Sequence, residues 1–137
     1  MDGACSCGYR CSSPAKHPRT QTGLTDATRD IEKIREWWTR WPDANVAVAT
    51  GNGLVVIDVD EGHGGYESLP ALGTLPPTPI VQTGGGGAHY YFAGEARTGA
   101  GIRPGIDVRG TGGYVVAAPS VHHGGASRAS QLLRNRR

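Results

Sequence analysis

The alternation of apolar and polar positions along the chain predicts one helix and a series of short strands. Ile31, Ile34, Trp38 and Trp41 recur at spacings of three and four, with charged residues between them, so residues 26–41 read as an amphipathic helix. Asp30 can cap its start, Glu32 favours its first turn and Pro42 stops it. Trp37 and Trp38 are read as core anchors rather than as platforms for base stacking. Residues 45–50 form a short apolar run that ends at the turn Gly51-Asn52-Gly53. Residues 54–60, Leu-Val-Val-Ile-Asp-Val-Asp, are almost continuously β-branched and read as a central strand buried on both faces. Residues 61–78 read as a loop with one short helix near Tyr66–Leu72. Residues 80–83 and 88–92 flank four consecutive glycines and predict a hairpin. Residues 94–105 read as a glycine-rich loop, and 105–110 and 114–118 as two further strands. Hairpin signals outnumber helix signals, so the fold class is α+β with a mostly antiparallel sheet.

Composition narrows this picture. The chain has 137 residues, 22 of them glycine and 9 proline, which allows one domain rich in turns. A net charge of +2 neither demands nor excludes a nucleic-acid partner. No apolar run approaches the roughly 20 residues of a membrane span, and the N-terminus lacks the basic and apolar regions of a signal peptide. The expectation is a cytoplasmic protein without a membrane partner. Cys5, Cys7 and Cys11, followed by His17, allow two readings. One is a Zn2+ site of three thiolates and an imidazole; the other is an N-terminal tail with reduced thiols.

Chemistry concentrates at three carboxylates and one histidine. Asp58 and Asp60 lie two apart on a strand, so both point to one face, with Cα atoms about 6–7 Å apart. Like charges at a strand end are unfavourable without a cation, and hard divalent ions such as Mg2+ or Mn2+ accept such oxygen ligands. Asp107 sits between Ile106 and Val108 with Arg109 two residues on. Its partner is either Arg109 or a metal shared with Asp58 and Asp60. His89 follows the glycine run, where backbone N–H groups unobstructed by Cβ atoms suit a phosphate.

The ordered set of motifs carries a resemblance. Lys16-His17-Pro18-Arg19 is followed by Trp37-Trp38, Trp41-Pro42-Asp43-Ala44-Asn45, Ala49-Thr50-Gly51 and the strand ending Asp58-Val59-Asp60, with His63-Gly64-Gly65 behind it. Then come the run from Thr83 to Phe92, Gly105-Ile106-Asp107-Val108-Arg109-Gly110 and the stretch from Gly113 to Ser120. Over residues 15–123 this closely resembles the N-terminal domain of bifunctional DNA primase/polymerase proteins, in the archaeo-eukaryotic primase superfamily, common on plasmids and phages. The resemblance implies a primase–polymerase fold with an RRM-like sheet and template-directed nucleotidyl transfer with two divalent metals, Mg2+ or Mn2+. By the same token Asp58, Asp60 and Asp107 are metal ligands, and His89 contacts the incoming triphosphate. Arg109, Lys16 and Ser120 lie where further phosphate or template contacts are expected. The implied partners are nucleoside triphosphates, a DNA template and primer, and a replicative helicase.

Residues 1–14 then form an irregular cysteine-containing segment, 15–123 the catalytic core, and 124–137 a basic, disordered tail. That tail departs from the family pattern, and a C-terminally truncated core is expected. The alternative function is an inactive remnant that binds nucleotide or single-stranded DNA without catalysis. A phosphatase of the haloacid dehalogenase type, suggested by Asp58-x-Asp60, needs a downstream lysine; the chain's lysines, Lys16 and Lys33, both lie upstream.

Overall fold

Strand β2, Leu54–Val59, runs through the middle of the molecule, as its β-branched sequence predicts. It pairs antiparallel on one side with β4, Ala88–Ala93, and on the other with β6, Ile106–Arg109. The computed structural model describes residues 5, 11, 13–122, 125–126 and 128–129. Outward from β4 lies β3, Ile80–Gln82; outward from β6 lies β5, Gly99–Arg103; β10, Arg128–Ala129, pairs with β3 at the edge. The resulting six-stranded sheet has the order β10-β3-β4-β2-β6-β5, with every pair antiparallel. A separate two-stranded sheet joins β1, Ala47–Ala49, to β7, Tyr114–Val116. Two residues of β8, Val121–His122, pair with β9, Gly125–Ala126.

Register decides what each face carries. Val59 stands opposite Ala88 on one neighbour and Ile106 on the other, and all three are buried. One residue earlier, Asp58 stands opposite His89 and Asp107, so this row points to the other face of the sheet. An apolar row thus anchors the sheet directly beside a polar row. Val56, fully buried, lies two residues before Asp58 and closes the polar face from below. The glycine run closes the β3–β4 hairpin: Thr83 N–H donates to Gly87 O at 2.9 Å and Gly86 N–H to Thr83 O at 3.1 Å. A Cβ at Gly87 would overlap the carbonyl oxygen of Val59, so only glycine lets this turn pack against the end of β2.

Helix α1, Ile31–Arg40, starts at Asp30, whose side chain accepts from the backbone N–H groups of Glu32 and Lys33. None of its residues is buried, and Ile31 is 58% exposed. Trp37 and Trp38 are half-buried rather than core anchors. With Trp41 they line a cavity of about 990 Å³ reaching Ala47 and Val116 of the small sheet, and Trp38 Nε1 donates to Ala44 O at 3.2 Å. The short helix expected near Tyr66–Leu72 is α2, Gly65–Ser68, continued by a 3-10 turn over Leu69–Leu72.

Two expectations are corrected. Residues 99–103, read as loop, form β5 with a register shift between Gly99 and Arg103. This edge strand is held by backbone pairing and mostly exposed, so it needs no apolar alternation. Within 124–137, read as a disordered tail, residues 125–126 and 128–129 are strands. Arg128 and Ala129 pair with Gln82 and Val81, because the open edge of β3 offers unpaired backbone groups whatever the arriving side chains are.

Candidate active site

A cleft of about 740 Å³ opens over the polar row of the large sheet. Asp58, Asp60, His89, Asp107, Arg109 and Lys16 all line it, together with Thr83, Gly85 and Gly87 of the glycine turn and Tyr114 to Val116 of β7. The large sheet therefore forms its floor and the small sheet one of its walls.

Three adjacent strands set the floor. Asp107, Asp58 and His89 stand in one cross-strand row, from β6 through β2 to β4. Opposed carboxylates repel, and the cation that reconciles them is Arg109. Its Nη2 donates to Asp58 Oδ2 at 3.2 Å and to Asp107 Oδ2 at 2.9 Å, and its Nε also reaches Asp58 Oδ2 at 3.3 Å. Asp107 Oδ1 accepts from the Gly101 N–H at 2.7 Å, an amide presented by the irregular part of β5. On the other side, His89 Nε2 lies 3.4 Å from Asp58 Oδ1. Burial pushes the Asp58 carboxyl up, but the hydrogen bond and charge of His89, then the charge and hydrogen bond of Arg109, hold it below its ordinary value.

His89 is 6% exposed, and its Nδ1 is buried without a hydrogen-bond partner among the described residues. Tyr91 meets it edge-on, with ring centroids 6.3 Å apart. Burial, and then the charge of Asp58, push the Tyr91 hydroxyl above its ordinary pKa.

Asp60 sits just beyond β2 and is held differently. Its N–H donates to Gly105 O at 2.8 Å, which ties the end of β2 to the turn before Asp107. Its carboxylate caps the 3-10 turn Glu61–His63, with Oδ1 accepting from Gly62 N–H at 3.0 Å and Oδ2 lying 2.8 Å from His63 Nδ1. Asp60 therefore lines the same cleft as Asp58 and Asp107 while its carboxylate turns to His63. His63, which also lines the cleft, was given no role from sequence. The Asp60-x-x-His63 spacing is the signal that marks it.

Lys16 reaches the cleft from the lead-in segment, whose path is fixed by Tyr114 Oη donating to Lys16 O at 3.0 Å. Ser120 is not brought to the cleft. It is buried, and its hydroxyl accepts from Val46 N–H at 2.9 Å and donates to Val46 O at 3.2 Å, clasping the chain after β7 to the chain before β1. That closed pair leaves the phosphate role expected of Ser120 without support. Asn45 adds a second clasp, bonding Ala15 O at 3.0 Å and both the carbonyl (2.7 Å) and the N–H (3.0 Å) of Val121. The cysteine cluster lies outside this floor. Cys11 Sγ sits 2.8 Å from His17 Nε2, and Cys5 is close to both, whereas Cys7 lies outside the described residues.

The positive charge facing Asp58 and Asp107 in the structure is Arg109; the carboxylate oxygens are of the hard kind that Mg2+ and Mn2+ prefer, so the chemistry of the donor set is compatible with a divalent cation. Among the described residues, no helix is long and apolar enough to cross a membrane. Comparison with known proteins gives one positive result: the family model for the bifunctional DNA primase/polymerase N-terminal domain matches residues 7–135. No curated protein and no solved structure matches significantly. A match over nearly the whole length, on a mostly antiparallel α+β fold, leads to one conclusion: the chain belongs to the bifunctional DNA primase/polymerase N-terminal family, whose chemistry is nucleotidyl transfer.

Proposed function

We propose that the cleft over the His89–Asp58–Asp107 row carries template-directed nucleotidyl transfer, extending or starting a DNA primer with nucleoside triphosphates. The observation that carries this reading is the row itself: two opposed carboxylates and a buried histidine on three adjacent strands, facing a space of about 740 Å³ that also holds Lys16 and Arg109. Such a volume lies within the roughly 300–1,000 Å³ usual for small-molecule sites.

Asp58 and Asp107 would hold the divalent cations, with Asp60 as a further ligand once it leaves His63. The cations, Mg2+ or Mn2+, would supply activation of the attacking 3′-hydroxyl and neutralisation of the leaving pyrophosphate. Arg109 would then give up one carboxylate and turn its guanidinium to a phosphate, for which its planar fork is suited. His89 would donate from its ring to the triphosphate, and Lys16 would add a point charge at the mouth. The pairing of β4, β2 and β6 keeps Asp58, Asp107 and His89 in place, so the rearrangement falls on Arg109 and Asp60.

Primer extension on a short primed single strand, with Mg2+ or Mn2+, tests the reading. Wild type extends, Asp58→Ala falls to background, and His89→Ala loses roughly 10²-fold in rate, the usual cost of one lost donor to developing charge. Equal inactivity of all three proteins, with nucleotide still bound, would instead make this a binding module without transfer.

A further inference from the structure

We propose that Cys5, Cys11 and His17 form a zinc site that pins the lead-in segment across the mouth of the cleft. The three donors are spaced six residues apart along one N-terminal stretch, 5–17. The two Sγ atoms and an imidazole nitrogen all lie within 4.8 Å of one another. Tetrahedral Zn2+ with bonds of about 2.0–2.3 Å places its ligand atoms roughly 3.3–3.8 Å apart, so these groups need only small adjustments to close on an ion. Thiolate and imidazole donors select zinc over the hard ions suited to Asp58 and Asp107, which separates the two metal positions chemically.

The local chain supports the ion as well as supplying its ligands. Residues 13–16 make a tight turn, with Lys16 N–H donating to Ser13 O at 3.3 Å and Ala15 in the left-handed region at φ 64°. This turn brings His17 back onto Cys11. The Ser13 N–H points at Cys11 Sγ at 3.3 Å, an amide-to-sulfur bond of the kind that stabilises a metal-bound thiolate.

The position gives the site its consequence. Ser13 and Lys16, between Cys11 and His17, both line the cleft. The segment is otherwise attached through Ala15 O to Asn45 and Lys16 O to Tyr114. An ion closing the loop 11–17 at its base would hold Lys16 over the floor, whether or not the cleft performs nucleotidyl transfer.

The experiment uses the full chain, purified under reducing conditions and dialysed against Mg2+ to clear weakly held metal. One equivalent of zinc is expected by elemental analysis, and Co2+ exchanged into the site should give a thiolate-to-metal charge-transfer band. Cys11→Ser and His17→Ala should each lose the zinc while keeping the circular dichroism of the sheet, and His17→Cys should retain it. In hydrogen exchange, the amides of Ser13, Ala15, Lys16 and His17 should exchange roughly tenfold more slowly with zinc than after chelation. Substoichiometric zinc in wild type, or full zinc in both loss variants, overturns the site. Bound zinc with unchanged exchange at those amides overturns the pinning.

Discussion

A single guanidinium holds two opposed carboxylates together at the centre of the sheet, and that arrangement can be tested one side chain at a time. Arg109→Ala leaves Asp58 and Asp107 facing each other with no positive group between them. Without added metal the variant should be less stable than wild type by about 1–2 kcal/mol, the cost of breaking a half-buried pair after discounting for solvent screening. Mn2+ should raise its melting temperature more than that of wild type, because the ion takes the place the side chain vacated. A smaller Mn2+ shift in Arg109→Ala than in wild type would show that the ion binds elsewhere. Acid gives a second test. The Asp58 carboxyl sits below its ordinary value of 3.8 in the folded protein, so the unfolded chain takes up this proton first. Its contribution is therefore complete above the ordinary carboxylate range and fades as pH falls through the lower folded value. The stability difference between wild type and Asp58→Asn, followed by denaturant melts from pH 6 downward, should be flat at first and shrink below about pH 4. A difference that grows on acidification would contradict the His89 and Arg109 contacts.

Among the elements, burial rather than pattern decides what each apolar residue is worth. Ile106 is fully buried in the row with Val59 and Ala88, so Ile106→Ala should cost about 2–5 kcal/mol in a urea melt. Ile31 belongs to the apolar stripe of α1 but is 58% exposed, and Ile31→Ala should change stability by less than about 0.5 kcal/mol. Comparable losses for the two would mean that the helix packs more closely than the structure has it. The same contrast explains what could be read from the chain. The β-branched run of β2, the glycine turn of the β3–β4 hairpin and the Asp30 cap are local signals, and each is where local chemistry places it. Strands β5 and β10 were missed because edge strands rest on a neighbour's backbone groups, which leave no mark in their own residues. The tryptophans of α1 were overvalued because periodicity states which face is apolar and not how much of it is covered.

Across the whole molecule, the cleft depends on contacts between residues far apart in sequence. That Asp58, His89 and Asp107 would share a face was legible from strand alternation and the ordered motifs, whereas Asp60, read as part of the same strand, lies just beyond its end. That Arg109 would span two carboxylates, that Asp60 would turn to His63, and that Ser120 would close on Val46 depend on register and on loop geometry. Asn45 is the clearest case of a long-range role, since it ties the lead-in at Ala15 and the chain at Val121 to the start of the small sheet. Asn45→Ala should cost about 1–2 kcal/mol for its exposed but convergent hydrogen bonds, and should speed hydrogen exchange at 13–17 without slowing refolding of the large sheet. An unchanged urea midpoint would show that these bonds are replaced by water at no cost.

The corner where the two sheets meet has a mechanical meaning. Two of the links between them, 50–53 and 110–113, lie side by side: Thr50 N–H donates to Gly113 O at 2.9 Å and Thr50 Oγ1 to Gly110 O at 2.7 Å. Gly51, Gly53 and Gly112 there all have positive φ. Floor and wall thus share one fulcrum, and the wall's far end is moored through Asn45 and Ser120. Widening or narrowing of the cleft would draw on the backbone freedom of that glycine corner, so the fit of a bound nucleotide would depend on Gly51 and Gly53, outside the cleft, as well as on the groups that line it.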